Sequence, residues 1–353
     1  MPGTPTPGAA DAALPATTYR GERPPPRGTR AEYAFGIRLK RRVRDARRWA
    51  YANLARASVW ALMRLPFTWV RGLCRVLVVG VASRLHGRVA EQHLMMAFGG
   101  AMSPDDRRRT LRAMFRGMAD LPAEVLAAVH RGPDFIRSRF LPSEDLDKWH
   151  RLQAEAGALV AITGHIGNWE MLVQYLVLES RRPVGGVVAK RIPNPRLNRL
   201  VESMRGKFGV RTLYRDTDGK QMARLLARGH SIGLVPDQDS ARLPGTFVPV
   251  FGRPAYTPTG PARLALTTGK PIVCVYALRQ GDRFRLLVDD PIHPDRSAPR
   301  EAEIVRLTQA WSDRMEEVIR AHPEQWMWLH NRWRSTPETL AARRIATRAR
   351  GPA

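Results

Sequence analysis

The chain is short of cysteine, short of acid, and short of long uncharged runs. It has two cysteines in 353 residues, Cys74 and Cys274, far apart and each in an apolar setting. That excludes a disulfide framework and a cysteine-based metal cluster, and it fits a reducing compartment. The Pro/Ala/Gly-rich start runs into arginine rather than an apolar core segment, so no secretory signal is expected. No window reaches the roughly 20 uncharged residues that a spanning helix needs. Asp and Glu number 32 against 58 Lys and Arg, a net charge of +26. Such a field favours polyanions. Zinc-finger spacing, an RNP-like stretch and basic heptads are all missing, so nucleic acid is not the expected partner. An anionic membrane surface or an acidic carrier protein remains.

What is present divides the chain. Residues 1–45 are rich in Pro, Gly, Ala and Arg without hydrophobic period, and read as a disordered basic segment. Residues 46–86 are apolar but interrupted. Arg56, Arg64, Arg71 and Arg75 fall within about 100° of one another on a helical wheel. Trp60, Leu62, Val70, Leu73 and Leu77 lie opposite. This predicts a pair of basic amphipathic helices lying in a membrane interface, an anchor that does not span. Residues 87–338 form the expected catalytic domain, and residues 339–353 a basic C-terminal tail. Ser103-Pro104-Asp105-Asp106 opens a helix, with a break expected at Pro122. Further on, short apolar runs alternate with helical segments. That pattern argues an α/β fold with a largely parallel sheet flanked by helices.

One turn stands out. The apolar run Ala158 to Thr163 reads as a buried strand, and Met171 to Leu178 reads as a helix. Between them lies Gly164-His165-Ile166-Gly167-Asn168-Trp169-Glu170. In one continuous helix His165 and Glu170 would point about 140° apart. With His165 in the turn and Glu170 in the first helical turn, the carboxylate can fold back onto the imidazole. A His held by a carboxylate is a general base of fixed tautomer. An unremarkable alternative is a solvated His and a Glu that serves the helix macrodipole.

Other blocks follow. Lys190-Arg191 ends a predicted strand ahead of Asn194-Pro195, and either cation suits a phosphate or an oxyanion. Pro236-Asp237-Gln238-Asp239 ends another strand, as a turn or as part of the site. Gly245 to Pro254, with Phe247, Phe251 and Arg253, continues into Thr257-Pro258-Thr259-Gly260. There Thr257 or Thr259 is placed to cap a helix whose N-terminus suits an anion. Phe247 and Phe251 are either walls of an apolar groove or core. Pro323-Glu324-Gln325-Trp326-Met327-Trp328-Leu329-His330 reads as a Trp-rich helix on the sheet edge, with His330 near substrate as the alternative.

Together, in this order, these blocks resemble the bacterial lipid A biosynthesis acyltransferases, the lauroyl/myristoyl branch of the glycerolipid acyltransferase superfamily with its H-x4-D/E motif. The resemblance covers about residues 90–335. It implies transfer of a fatty acyl group from acyl-carrier protein or acyl-coenzyme A to a hydroxyl of a lipid A-type glycolipid. His165 and Glu170 would be catalytic. Gly167, Asn168, Lys190, Arg191, Asp237, Gln238, Arg253 and Thr257 would bind substrate or oxyanion. It implies no metal and no cofactor beyond the thioester co-substrate, at the cytoplasmic face of the inner membrane. Two other readings use the same residues differently. A lysophospholipid acyltransferase needs the same His–acid pair, and a non-catalytic basic membrane-binding protein needs none of it.

Overall fold

The computed structural model describes residues 30–342, with side chains from 41 onward and that of Leu39. The segment expected to be disordered lies mostly outside them, as does most of the basic tail. From Arg30 the chain is helical, because its Ala-, Leu- and Arg-rich composition favours a helix once Pro and Gly thin out. The chain divides into two units, Met1–Trp49 and Ala50–Ala353. Helix α1 (Arg30–Leu62) contributes to both. Within the first unit, Arg41, Arg42, Arg44 and Arg47 are exposed.

The second unit opens with the rest of α1, then α2 (Phe67–Arg75), a π-helical stretch Val76–Ala82, and α3 (Ser83–Phe98). Next come α4 (Pro104–Arg131), α5 (Pro133–Arg139) and α6 (Glu144–Ala156). Ser103 caps α4 by accepting from Asp106 N. Pro122 lies inside α4 and does not end it. A mid-helix proline costs about 3 kcal/mol. Burial of Met114, Phe115, Ala119, Ala123 and Leu126 along the same helix offsets that cost.

The α/β part follows: β1 (Val160–Ile162), α7 (Trp169–Glu179), β2 (Val184–Ala189), α8 (Pro195–Gly206), β3 (Thr212–Tyr214), α9 (Gly219–Ala227) and β4 (Ser231–Leu234). It continues with the hairpin β5 (Gly245–Val250) and β6 (Arg253–Pro258), then α10 (Gly260–Thr268), β7 (Ile272–Gln280), β8 (Arg283–Val288) and α11 (Arg300–Ala321). Six strands form one sheet in the order β3-β2-β4-β1-β7-β8. All pairings are parallel except β7 with β8. The inner strands β1, β4 and β7 are mostly buried apolar runs, as a parallel sheet covered by helices requires, whereas the antiparallel edge strand β8 alternates buried and exposed residues. The carboxyl ends of the parallel strands share one edge, where ligands of such sheets bind.

The N-terminal helices of the second unit reverse one expectation. Arg71 and Arg75 do not form an outer basic face. Arg75 makes a two-pronged ion pair with the buried Asp120 of α4, at 2.7 and 2.8 Å, and Arg71 reaches Asp282 at 2.8 Å. Val70, just before Arg71, is buried. Trp69, Leu73, Val76, Leu77, Val81 and Leu85 are exposed instead. Acids inside the unit draw two of the arginines inward, and the helix turns its apolar side to solvent. No helix among the described residues is long and apolar enough to cross a membrane.

Candidate active site

β1 and β4 are neighbours in parallel, with Ile162 opposite Leu234. Three residues beyond each of these positions stand His165 and Asp237. Equal offsets from a shared register bring the two side chains together. His165 Nδ1 lies 2.7 Å from Asp237 Oδ1, and the His165 backbone N–H donates to Asp237 Oδ2 at 2.8 Å. The Trp326 indole N–H donates to the same Oδ2 at 2.9 Å. Asp237 is 3 % exposed, so its carboxylate has been taken from water and is served by three donors. A buried carboxylate with such donors must be ionised to use them. Burial alone would raise its pKa, but the His165 charge, the hydrogen bonds from His165 and the Trp326 N–H together lower it. Burial likewise opposes charging of His165, yet the Asp237 carboxylate and, more weakly, Glu170 raise its pKa overall. With Nδ1–H directed at Asp237, Nε2 carries the lone pair, and the Gln238 amide faces it.

Glu170, expected to hold His165, does not touch it. Its carboxylate is bound by the Arg205 guanidinium of α8, at 3.0 Å from Nε and by a second contact from Nη2. Glu170 lies in the first turn of α7, and α8 crosses close enough to claim it. The carboxylate on the imidazole comes from Asp237, expected to bind substrate.

The turn itself is fixed by the Pro323–His330 block. That block is not a helix beyond the short 3-10 turn Pro323–Gln325. Its chain runs extended past the turn, bridging Ile166 with Trp326. Gly167 N–H donates to Gln325 O at 2.9 Å, and Met327 N–H to His165 O at 3.1 Å. Gly167 has φ +57°, and a Cβ there would fall 2.0 Å from the Ala277 carbonyl oxygen, so no other residue fits. Asn168 caps α7 by accepting from Met171 N–H at 3.0 Å, and it is fully buried. Its amide nitrogen donates to Glu124 at 2.8 Å. The amides of His165, Gly167 and Asn168 are thus all engaged with protein oxygens. They do not form the oxyanion hole expected of Gly167 and Asn168.

The remaining candidates separate cleanly. The Arg191 guanidinium stacks on the Tyr214 ring, 3.7 Å from its centroid. Lys190 instead lines a cavity of about 530 Å³ together with Gln238. The Gln238 side-chain nitrogen lies 3.5 Å from His165 Nε2. On its other side His165 borders a second cavity of about 310 Å³, with Trp169, Met327, Arg75 and Asp120. His165 lines only this smaller cavity, and Gln238 links it to the larger one. Arg253 donates to the Met96 carbonyl at 2.9 Å and lines neither cavity. Thr257 is buried in β6, binding Arg332 and the Ala255 carbonyl, and caps nothing. Thr259 stands at the start of α10 without a side-chain cap bond. Phe251 is core, packed on Phe98 and Trp328. Phe247 packs edge-on to Tyr256. Burial lowers the pKa of His330 to about 4, so it is neutral near pH 7. No group of three or more His, Cys, Asp or Glu side chains among the described residues is arranged to hold a metal.

Two residues escaped the sequence reading, Trp326 and Glu124. Trp326 belonged to a recognised block but was assigned to packing. Its signal was an indole N–H beside a chemical motif, since a buried Trp seeks an acceptor. Glu124 carried a fainter one, an acid within the apolar stretch Leu121 to Val129.

The fold is a largely parallel α/β sheet with a carboxylate-held histidine at its carboxyl edge, beside a cavity. The chain belongs to the bacterial lipid A biosynthesis acyltransferase family, whose family model matches residues 38–335. It is an acyltransferase. It is 28% identical over 303 residues to the phosphatidylinositol mannoside acyltransferase of Mycolicibacterium smegmatis, covering 80% of this chain and 91% of that protein. The enzyme of the same name from Mycobacterium tuberculosis H37Rv is 28% identical over 186 residues, 52% of this chain and 56% of that protein. The lipid A biosynthesis lauroyltransferase of Escherichia coli K12 is 32% identical over 130 residues, 36% of this chain and 41% of that protein.

Proposed function

We propose that the protein moves a fatty acyl group from an acyl thioester to a sugar hydroxyl of a glycolipid, with His165 as general base held by Asp237. The observation that carries this is the His165–Asp237 pair at the edge of the smaller cavity, with only the Gln238 amide at 3.5 Å facing Nε2 among the described residues. Nε2 takes the proton of the acceptor hydroxyl as its oxygen attacks the thioester carbonyl. The new C–O bond gives a tetrahedral intermediate whose oxyanion is met by the Gln238 amide and Lys190 rather than by the engaged turn amides. Collapse breaks the C–S bond, and the thiolate of the carrier leaves with the proton from His165. The donor is acyl-carrier protein or acyl-coenzyme A. A mannoside of phosphatidylinositol is favoured over lipid A as acceptor, because the match to the Mycolicibacterium smegmatis relative is 28% identical over 91% of that protein, whereas the long match to a lipid A palmitoleoyltransferase of Escherichia coli K12 is 22% identical over 79% of it. The test is transfer of labelled acyl groups from each donor to each purified acceptor, wild type beside His165→Ala. A labelled glycolipid that vanishes in the variant is expected. Release of free fatty acid alone would point to a hydrolase and sink the proposal.

The exposed apolar side of α2 and the helical stretch after it is proposed to lie in the cytoplasmic leaflet of the plasma membrane. Tryptophan and leucine on one side, with arginine held back on the other, suit the interface. Residues 46–86 then serve as a surface anchor for the catalytic domain over 87–338. Substituting Trp69, Leu73 and Leu77 by Ser should lower co-flotation with anionic vesicles by about tenfold or more, each apolar group adding over 1 kcal/mol of burial. Undiminished flotation of a folded triple variant would reject the assignment.

A further inference from the structure

Another cleft lies where the end of α1 and the start of α2 meet the last turns of α4. It holds about 300 Å³ and shares no lining residue with the cavity beside His165. Its walls are apolar, from Leu62, Met63, Phe67, Val70, Ala123 and Leu126. Arg64, His130 and Arg131 also line it and are exposed, so they stand at its mouth. Among the described residues no carboxylate lines it. The arginines around it are of two kinds. Arg71 and Arg139 lie over the Phe67 ring, and each is paired with an acid, Asp282 and Glu124. Arg131 lies 5.9 and 5.4 Å from the centroids of Phe67 and Phe135, and Arg64 lies 3.4 Å from that of Trp60. Arg64 donates to the Trp60 carbonyl at 3.1 Å, and among the described residues no acid stands against either arginine. Ring faces hold such cations in place without neutralising them. The carboxyl end of α4 offers little competing negative charge, because Lys207 binds the Val129 carbonyl and the Gly132 N–H binds that of Ala128. Two unneutralised guanidinium groups at the mouth of an apolar cleft select an anion with a hydrocarbon body.

We infer that this cleft is a site for one anionic phospholipid, with its phosphate held between Arg64 and Arg131 and its first carbons against Phe67, Val70 and Leu126. The inference rests on the membrane-facing reading of α2 and is independent of acyl transfer itself. The occupant is a lipid rather than free phosphate because the apolar path continues outward from the cleft along the same helix, through the exposed Trp69 and Leu73. A zwitterionic head would bring a cation of its own to a cleft with no acid to receive it, so a net negative head is preferred. The bound lipid seats the corner between α1 and α2 at the level of the lipid phosphates. That is a stoichiometric contact, different in kind from the diffuse attraction of a basic surface to charge.

The probe is dihexanoyl-phosphatidylglycerol, kept below its micelle concentration and titrated calorimetrically into the full chain in a neutral detergent. Saturable binding to a single site is expected, with dihexanoyl-phosphatidylcholine and inorganic phosphate each weaker by about tenfold or more. Arg64→Gln/Arg131→Gln should weaken phosphatidylglycerol by about tenfold or more, the loss of at least one charge-assisted contact. The control Arg41→Gln/Arg42→Gln removes the same charge from exposed positions of the first unit and should leave the affinity unchanged. Equal losses in the two variants would reduce the effect to net charge and overturn the site. Equal binding of phosphatidylcholine, or inorganic phosphate binding as tightly as the lipid, would overturn it as well. The phosphate of the acceptor glycolipid is the competing occupant, and transfer assays in detergent separate it. kcat and the acceptor KM should be unchanged in Arg64→Gln/Arg131→Gln, and a raised acceptor KM would give the cleft to the acceptor instead. Substituting Trp69, Leu73 and Leu77 by Ser should spare binding of the short-chain lipid even as flotation is lost. Failure of the anchor and failure of the site therefore give different results.

Discussion

Asp237→Asn should lower kcat by about a hundredfold to ten-thousandfold, the range spanned by loss of a positioned base and its tautomer. The reason is geometric. An amide in place of the carboxylate can present its NH2 to Nδ1, which turns the imidazole to the wrong tautomer and leaves Nε2 protonated. It also loses the charge that raises the His165 pKa. The sign of the pH effect follows. Under the proposed mechanism transfer requires neutral His165, so in wild type the rate should rise with pH through a pKa above the ordinary value of 6.5. Without Asp237, burial is the larger influence and pulls that pKa down, so the rising limb of the residual activity moves to lower pH. Glu170→Gln acts differently. It removes a weaker through-space contribution and the Arg205 pair, so kcat should fall far less and the limb should shift only slightly downward. pH–rate profiles of the three proteins decide the matter. A Glu170→Gln variant that is dead beside an active Asp237→Asn would return the role to Glu170.

That reversal shows what a sequence can and cannot say about such a site. The strand before His165 and the strand before Asp237 were both readable from short apolar runs ending in polar turns. Their adjacency was not, because strand order in a parallel sheet depends on crossovers rather than on chain proximity. β4 lies 72 residues after β1 in the hydrogen-bonded pair, yet shares its register. Local spacing therefore favoured Glu170, five residues away, while the sheet delivered Asp237.

The hairpin β5–β6 was missed for a different reason. Pro249 and Pro254 face each other across it, and prolines within a run argue against a strand. They are tolerated because this is a two-stranded ribbon with no inner strand to disrupt. Its turn is made by Phe251 and Gly252, both at positive φ, which matches the twist of a tight hairpin. The arginines of the N-terminal helices failed a helical-wheel argument because a wheel shows which residues share a face and not which face is buried. Asp120 and Asp282 settle that, and neither is near Arg71 or Arg75 in sequence.

Glu124→Ala should destabilise the fold by about 3–5 kcal/mol, the cost of removing one partner from a buried ion pair. Glu124 is fully buried in α4 and binds three groups from separate elements. The Arg279 guanidinium grips both oxygens at 2.7 Å, Arg139 donates at 3.0 Å, and the Asn168 amide donates at 2.8 Å. Truncation leaves two largely buried guanidinium groups facing each other without their anion. It also frees the side chain that caps α7 and closes the His165 turn, so the loss reaches the site as well as the core. Glu124→Gln keeps the shape and one acceptor but not the charge, and should destabilise by less. Chemical denaturation of the three proteins gives the stabilities, and kcat measured well below the unfolding midpoint gives the effect on the turn. If Glu124 only packs the core, folded Glu124→Gln retains wild-type kcat. If it also positions Asn168, kcat falls in both variants while the pH at which His165 titrates stays set by Asp237. A Glu124→Ala protein as stable as wild type would mean that the two arginines find other partners, and the network would lose its place in this account.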